Sequence, residues 1–193
     1  KKANLKVIKL KSWDTLPGYF KVSPSPNIAN FETALMYNGM CLLEGTNISE
    51  GRGTDTPFLL FGAPWMNSSL ILKDLIEFDY PGISFYQKTF KPYSRQGAKY
   101  PKYKNQLCYG IRIDVLDPSK IDPLKVSVSI LKTIYKYHYE QFSFNNNNFI
   151  EKLYGSDILE NNIKDKVSIQ TLINIWEKDS KAFISQREPY LLY

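Results

Sequence analysis

Histidine and cysteine are scarce in this chain, and their scarcity limits the chemistry that the sequence can support. His138 is the only histidine, and Cys41 and Cys108 lie far apart in the sequence. A zinc site needs about four ligands drawn from such residues, and a nucleophilic triad needs a histidine base beside a Ser or Cys motif. We therefore expect no metal, no cofactor and a structural or exposed His138. Both cysteines lie in apolar, strand-like runs, which favours buried free thiols over a disulfide.

Long hydrophobic runs and the common phosphate-binding patterns are also lacking. No apolar run approaches the roughly 20 residues that span a bilayer, and no signal peptide begins at Lys1. The glycines match neither the Walker pattern nor G-x-G-x-x-G. The sequence thus predicts no membrane-spanning segment and excludes two phosphate-binding templates.

The chain does have the composition of a folded domain. Its 193 residues are 43% hydrophobic, enough for a sizeable core, and we predict one domain over residues 1–193. Strand-like and helix-like patterns alternate in the first half, whereas the second half is mainly helical. The prediction is an α/β (α+β) fold in which helices flank a small mixed sheet of short strands.

Local signals place the individual elements. Alternating or apolar runs predict strands at residues 5–10, 39–43, 83–90 and 107–116. Cap residues and breakers predict helices that begin after Asn27, Asn67 or Ser68, Asp122, Asn148, Ser156 and Ser168. The first helix should end at Gly39, with Phe31, Ala34 and Leu35 on one face, and the third should run to about Phe142. We expect buried stripes at Val126, Ile130, Ile134 and Tyr137, and core positions for Trp176 and Phe183.

The most informative stretch is the polar loop within residues 42–65, LLEGTNISEGRGTDTPFLLFGAPW. Carboxylate, amide, guanidinium and hydroxyl groups are concentrated there, and they contribute little to folding. Such loops are often simple turns in which Thr46, Asn47 and Ser49 bond local backbone. Polar loops after a buried strand are also typical of functional sites. Our candidates for a site are Glu44, Thr46, Asn47, Arg52 and Thr54.

Several motifs along the chain resemble the signature of one enzyme family. They are Pro24-Ser25-Pro26-Asn27, Glu44-Gly45-Thr46-Asn47, Gly51-Arg52-Gly53-Thr54 and Gly62-Ala63-Pro64-Trp65. Their order and spacing are similar to those of the exo-acting β-N-acetylmuramidases of peptidoglycan turnover, a family once catalogued as a domain of unknown function. The resemblance continues through residues 149–155 to the ending at residues 190–193.

The resemblance carries specific expectations. It implies the C-terminal domain of a two-domain protein whose Rossmann-like N-terminal half would precede Lys1 and share the active cleft. The complete protein would release N-acetylmuramic acid from the non-reducing end of peptidoglycan fragments, its partners would be muramyl glycosides, and this portion alone would be inactive. Because peptidoglycan lies outside the cytoplasmic membrane, we expect an extracytoplasmic protein, whether periplasmic, secreted or lipid-anchored.

Glycosidic hydrolysis assigns candidate roles to the loop residues. Glu44, shielded by Phe58 and Trp65, could be a general acid with a raised pKa, or an ionised stabiliser or base if Arg52 pairs with it. Arg52 is the candidate ligand of the lactyl carboxylate of muramic acid. Asn47 and Thr54 would hold the acetamido group or ring hydroxyls, and Thr46 is a further candidate for binding the substrate. We expect the second carboxylate from the N-terminal half, because the flanks of Glu50 and Asp55 look solvated.

One further segment leaves a different class of function open. No acidic residue occurs between Asp79 and Asp114, where seven cations interleave with aromatic residues. This pattern suits nucleic acid, a carboxylate-bearing sugar polymer, or only a solvated basic loop with aromatic residues in the core. The alternative function is therefore a non-catalytic module that binds an anionic polymer. Of the two polymers, cell-wall glycan is expected rather than nucleic acid.

Overall fold

The computed structural model describes residues 3–9 and 22–192. Within them lie six α-helices and three β-strands. In chain order these are α1 (Phe31–Met40), β1 (Leu60–Ala63), α2 (Ser68–Glu77), β2 (Ile83–Phe90), β3 (Cys108–Val115), α3 (Pro123–His138), α4 (Phe149–Tyr154), α5 (Ile158–Lys164) and α6 (Ile169–Arg187). Short 3-10 turns occupy Cys41–Gly45, Pro118–Lys120 and Glu188–Tyr190. The predicted α/β class, with a small sheet and a helix-rich second half, is confirmed.

The sheet has the strand order β1-β3-β2, and both pairs are antiparallel. Within the described residues it is therefore an antiparallel sheet and not the mixed one that the sequence predicted. Successive side chains of a strand point to opposite faces of a sheet. One face therefore sends Phe61, Ile111 and Ile113 into the main core. The other face carries Leu60, Phe90 and Cys108, which form a small separate cluster. The second face is consequently the one available to a site.

Helix α3 lies at the centre of the domain. The side chain of Asp122 accepts a hydrogen bond from the N–H of Lys125 (3.0 Å), and Pro123 occupies the first turn, as the sequence predicts. All six positions from Val126 to Leu131 are buried, because α1, α2, α5 and α6 all pack against this helix. The helix ends at His138, four residues before the predicted end.

Several predicted boundaries are confirmed. Asn67 caps α2, β2 spans Ile83–Phe90, β3 lies within the predicted range, and Ser168 caps α6. Gly155 ends α4 in the left-handed conformation (φ 83°). Ser156 accepts from the N–H of Ile158 at 3.4 Å, although Asp157 occupies the cap position of α5.

The predictions for the region around α1 are wrong in two respects. Asn30, rather than Asn27, caps the helix, and its side chain accepts from the N–H of Thr33 at 2.9 Å. Residues 39–43 form no strand, because α1 runs to Met40 and continues into the 3-10 turn. A short buried apolar run has the same appearance in a strand and in a helix, so its pattern does not separate them. Gly39 lies within the helix, and the position needs a glycine because a Cβ there would lie 1.9 Å from the Pro123 carbonyl oxygen of α3.

Two further predictions fail at the ends of the chain. Residues 5–9 of the predicted first strand have no regular secondary structure, and Leu5, Val7 and Ile8 are exposed; Leu10 and the expected break at Pro17-Gly18 lie outside the described residues. Trp176 packs against the core, but Phe183 is 58% exposed. In the described part of the chain, no helix has the length and apolar character needed to cross a bilayer.

The scarce residues take structural positions. Both cysteines are free thiols as predicted, Cys108 buried and Cys41 half-buried. The Nε2 atom of His138 accepts a hydrogen bond from the N–H of Asn67 (3.0 Å), and its ring lies 5.5 Å from that of Trp65. Burial lowers the pKa of His138, which favours the neutral acceptor. His138 therefore supports the start of α2, the structural role that the sequence suggested.

Candidate active site

The polar loop begins at the 3-10 turn Cys41–Gly45 and returns to the sheet at β1. Gly51 and Gly53 adopt left-handed conformations (φ 79° and 83°), which other residues rarely adopt. The N–H of Ser49 donates to the Gly62 carbonyl (2.9 Å). The N–H of Tyr93 donates to the Gly53 carbonyl (2.9 Å). The loop is thus fastened to β1 on one side and to the segment after β2 on the other.

Lys102 stabilises the polar loop through hydrogen bonds to its backbone. Its Nζ atom donates to the carbonyls of Leu43 (2.8 Å) and Ile48 (2.9 Å) and lies 3.1 Å from Oε2 of Glu50. Burial lowers the pKa of Lys102, although the charges of Glu50 and Glu44 oppose that shift. The sequence placed Lys102 only in a basic segment, since nothing in the local pattern shows a partner more than 50 positions away.

Glu44 and Arg52 lie together at the edge of an open hollow. The Nη2 atom of Arg52 is 3.0 Å from Oε1 of Glu44, and the Glu44 side chain remains 21% exposed. The hollow has a volume of about 380 Å³. Its lining includes Glu44, Glu50, Arg52, Tyr100 and Phe149. A ligand entering this hollow would meet both the carboxylate and the guanidinium.

The environment of Glu44 favours its protonated form. Burial raises the pKa of this carboxyl, and the nearby charge of Glu50 raises it as well. Arg52 and Lys102 act in the opposite direction without reversing the shift. Glu44 lies in a 3-10 turn rather than at a strand edge. Arg52 does pair with it, the arrangement for which the sequence predicts an ionised stabiliser or base, but the pKa of Glu44 is still raised, which is the sign expected of an acid.

Glu50 differs from its sequence interpretation. Its flanks suggested a solvated residue, but its side chain is only 5% exposed. Besides Lys102 it has Arg52 as a neighbour, whose Nε lies 3.8 Å from Oε1 of Glu50. Asp55 is 87% exposed and pairs with Arg95 at 2.6 Å, which agrees with the solvated interpretation. This chain therefore places a second, buried carboxylate close to Glu44, contrary to the solvated position that the flanks of Glu50 suggested.

Arg52 retains hydrogen-bonding capacity for a ligand. A guanidinium has five N–H donors, and the contact with Glu44 is its one hydrogen bond to the described residues. Its Nε is buried without a hydrogen-bond acceptor in that part of the chain. The guanidinium carbon lies 5.3 Å from the ring centre of Phe58, so Arg52 packs against this ring. The aromatic rings that line the hollow itself are Tyr100 and Phe149.

The other candidate residues lie elsewhere. Thr46 is buried, donating to the Leu43 carbonyl (2.9 Å) and accepting from the N–H of Ile48 (3.1 Å). Asn47 donates to the Gln141 carbonyl (2.8 Å) and accepts from the N–H of Ser143 (3.0 Å). Their polar atoms fasten the loop to itself and to the chain after α3. Thr54 lines a separate groove of about 440 Å³ on the other side of Gly53.

Solved structures define the class of this fold. A DUF1343 family protein of Bacteroides fragilis NCTC 9343 superposes with a TM-score of 0.78 at 20% identity, covering 89% of this chain and 45% of that protein. A second DUF1343 family protein of the same organism gives a TM-score of 0.69 at 29% identity, covering 93% of this chain and 46% of that protein.

Sequence comparison then gives the family. Residues 35–193 match the model of the family described as "Exo-beta-N-acetylmuramidase NamZ, C-terminal", and the chain belongs to that family. It is 35% identical over 198 residues to the peptidoglycan β-N-acetylmuramidase NamZ of Bacillus subtilis (strain 168), a match that covers 99% of this chain and 46% of that protein. The resemblance seen in the sequence motifs is therefore confirmed, and the chain spans about half the length of the relatives it matches.

Proposed function

We propose that this chain forms one side of the active cleft of a glycoside hydrolase that releases N-acetylmuramic acid from the non-reducing end of peptidoglycan fragments. The observation that carries this proposal is the open hollow in which Glu44 and Arg52 meet at 3.0 Å. Membership of the family supports a hydrolase role for the complete protein. On this proposal the present chain alone is inactive.

Glu44 is proposed as the general acid of the reaction. Glycoside hydrolysis requires a proton on the leaving oxygen, and an acid with a raised pKa stays protonated near the working pH. Burial raises the pKa of Glu44 in this sense. Glu50 is held by Lys102 in the loop, so the group that meets the sugar from the opposite side is assigned to the other domain.

Arg52 is proposed to recognise the lactyl carboxylate of muramic acid. A guanidinium binds a carboxylate through two parallel hydrogen bonds, and Arg52 has unused donors beside the hollow. Thr46 and Asn47 would support this arrangement by fixing the loop, rather than by touching the sugar.

The partner that completes the cleft is proposed to be the other half of a family protein. The last part of the chain supports this assignment, because all described residues from Glu177 to Leu192 are exposed. They include Phe183 (58%), Ile184 (54%) and Tyr190 (79%), apolar or aromatic surface that a neighbouring domain would cover. We further propose an extracytoplasmic location, since the substrate is a cell-wall polymer.

The test is the variant Glu44→Gln in the complete protein. Loss of a general acid should reduce turnover of a muramyl glycoside by about 100- to 10,000-fold. The loss should be much smaller for a nitrophenyl glycoside, whose leaving group needs no proton. Wild-type activity should also fall as the pH rises through the raised pKa of Glu44, because only the protonated acid is active.

Two controls complete this experiment. Glu77→Gln removes an exposed carboxylate of α2 that does not line the hollow and should leave turnover nearly unchanged. Unfolding curves should show that Glu44→Gln is folded. Normal turnover by folded Glu44→Gln would exclude Glu44 as the acid and favour the non-catalytic binding module.

A further inference from the structure

The face of the sheet that points away from the main core forms the floor of a groove. Leu60 of β1 and Tyr86 of β2 are both paired with Arg112 of β3, so the three side chains lie in one row across the three strands. Lys88 and Phe90 follow on the same face of β2, because side chains two positions apart share a face. The floor therefore combines an apolar side chain, aromatic rings and cations.

The walls come from two loops. Residues 53–56 of the polar loop form one wall, and Lys91, Tyr93 and Arg95 form the other. A hydrogen bond of 2.9 Å from the N–H of Tyr93 to the Gly53 carbonyl joins the two walls. Tyr86 is 43% exposed and Tyr93 is 53% exposed, so both rings offer surface on which a flat apolar face could stack.

The charges lining this groove are unbalanced. Four cations line it, namely Lys88, Lys91, Arg95 and Arg112, against the single carboxylate of Asp55. Asp55 is paired with Arg95, whereas no carboxylate among the described residues lies within 4.0 Å of Lys88 or Lys91. Such a groove attracts anionic groups.

Arg112 adds a donor that the protein itself does not use. Its Nε donates to Oδ1 of Asp114 at 3.2 Å. Its Nη1 is buried and has no acceptor within the described residues. The Arg112 side chain as a whole is 19% exposed and lines the groove, so its charge, rather than its buried Nη1, is what a ligand would meet.

The groove is a direct neighbour of the hollow at Glu44. Arg52 lines the hollow and the next residue, Gly53, lines the groove. The two regions are therefore lined by consecutive residues of the polar loop. Of the candidate residues, Thr54 belongs to this second region.

We propose that this groove binds the glycan strand that continues from the sugar at Glu44, with its cations contacting carboxylates of the strand and its tyrosines stacking on sugar rings. This inference rests on the proposed function, and it adds a second binding region to it. A glycan is favoured over a nucleic acid, because the groove adjoins the hollow in which Arg52 can bind a sugar carboxylate.

The test measures binding of soluble, muramic-acid-containing glycan strands to this chain by titration calorimetry. Lys88→Ala/Lys91→Ala removes two exposed, unpaired cations of the groove, and the dissociation constant should rise about tenfold. Lys178→Ala/Lys181→Ala removes the same charge from exposed positions of α6, and binding should change less than twofold. Chitin oligosaccharides of equal length lack the lactyl carboxylates, so the groove variant should not alter their binding.

The outcomes separate this inference from the proposed function. Unchanged binding by the groove variant, or equal losses in both double variants, would overturn the groove assignment. Tighter binding of a single-stranded oligonucleotide, lost in the groove variant, would assign the groove to nucleic acid. If Glu44→Gln retains turnover while the groove variant still loses glycan binding, the catalytic proposal fails and the groove assignment stands.

Discussion

The pair of Glu44 and Arg52 shows how two residues can tune each other. Arg52 stabilises the ionised form of Glu44, but burial and Glu50 outweigh this effect and raise the pKa of the acid. The guanidinium thus limits the shift while it keeps donors for a ligand. A change at Arg52 should consequently have two effects, one on the acid and one on substrate recognition, and these can be measured separately.

The variant Arg52→Ala in the complete protein distinguishes them. Removal of the cation raises the pKa of Glu44 further, and this effect applies equally to every substrate. Loss of the contact with the lactyl carboxylate applies only to muramic acid. We expect kcat/KM for a muramic acid glycoside to fall about 10- to 100-fold more than for the matching glucosamine glycoside, since a hydrogen bond to a charged group contributes about 1.5–3 kcal/mol.

Arg52→Lys provides the conservative control. Lysine retains the charge near Glu44 but cannot form two parallel hydrogen bonds. It should keep activity on the glucosamine glycoside and lose part of the preference for muramic acid. Equal losses on both substrates in Arg52→Ala would remove the lactyl assignment and leave Arg52 as a partner of Glu44 alone.

Sequence reasoning found some residues of the site and missed others for a clear reason. Glu44 and Arg52 lie eight positions apart in a loop whose composition is unusual, so the sequence placed them together. Asn47 looked equally polar, but its partners Gln141 and Ser143 lie more than 90 positions away. Glu50 looked solvated because its buried contact with Lys102 is equally invisible in the local sequence.

At the level of elements, the polar loop depends on a lysine from another segment. Lys102 bonds the carbonyls of Leu43 and Ile48 and neutralises Glu50. The loop contains no regular secondary structure between Gly45 and Leu60, so contacts of this kind fix its shape. The orientation of Glu44 at the hollow should therefore depend on Lys102, although Lys102 is not proposed to touch the substrate.

We predict that Lys102→Met lowers the free energy of unfolding by about 3 kcal/mol, because it removes the nearer cation from the buried carboxylate of Glu50 and leaves only Arg52, with Nε at 3.8 Å from Oε1. Chemical denaturation of this chain measures the loss. Lys104→Met, two positions away and exposed, should change stability by less than about 0.5 kcal/mol. The double variant Lys102→Met/Glu50→Gln should recover part of the loss, and an equally large loss in the double variant would contradict the pairing.

The elements themselves were predictable where local chemistry determines them. Asn67, Asp122 and Ser168 accept hydrogen bonds from the first turns of their helices, and such caps can be seen in the sequence. The strand predicted at residues 39–43 is wrong, because burial in a helix and burial in a strand select the same apolar residues. The exposed end of α6 could not be foreseen either, since an apolar residue at helical spacing usually faces a core.

For the whole molecule, the exposed end of α6 is the surface that bears on the proposed second domain. The main core reaches Leu172 and Trp176, and beyond them the helix continues for 11 residues to Arg187 without a buried side chain. Relatives are about twice as long as this chain, so the proposed second domain is the natural cover for this surface. The domain would then hold its partner through α6 and present Glu44 to the shared cleft.

This arrangement can be tested with Phe183→Asp/Ile184→Asp. In this chain alone both side chains are already exposed, so the melting temperature should change by no more than about 2 °C. In the complete protein the same carboxylates would be forced into an interface, and the melting temperature should fall by at least about 5 °C, because burying an unpaired charge costs several kcal/mol. Asn174→Asp, an exposed polar position nearer the start of α6, is the matched control and should be neutral in both. Equal melting temperatures for the double variant and the wild type of the complete protein would show that the other domain does not cover α6, and the partner would then have to contact a different face.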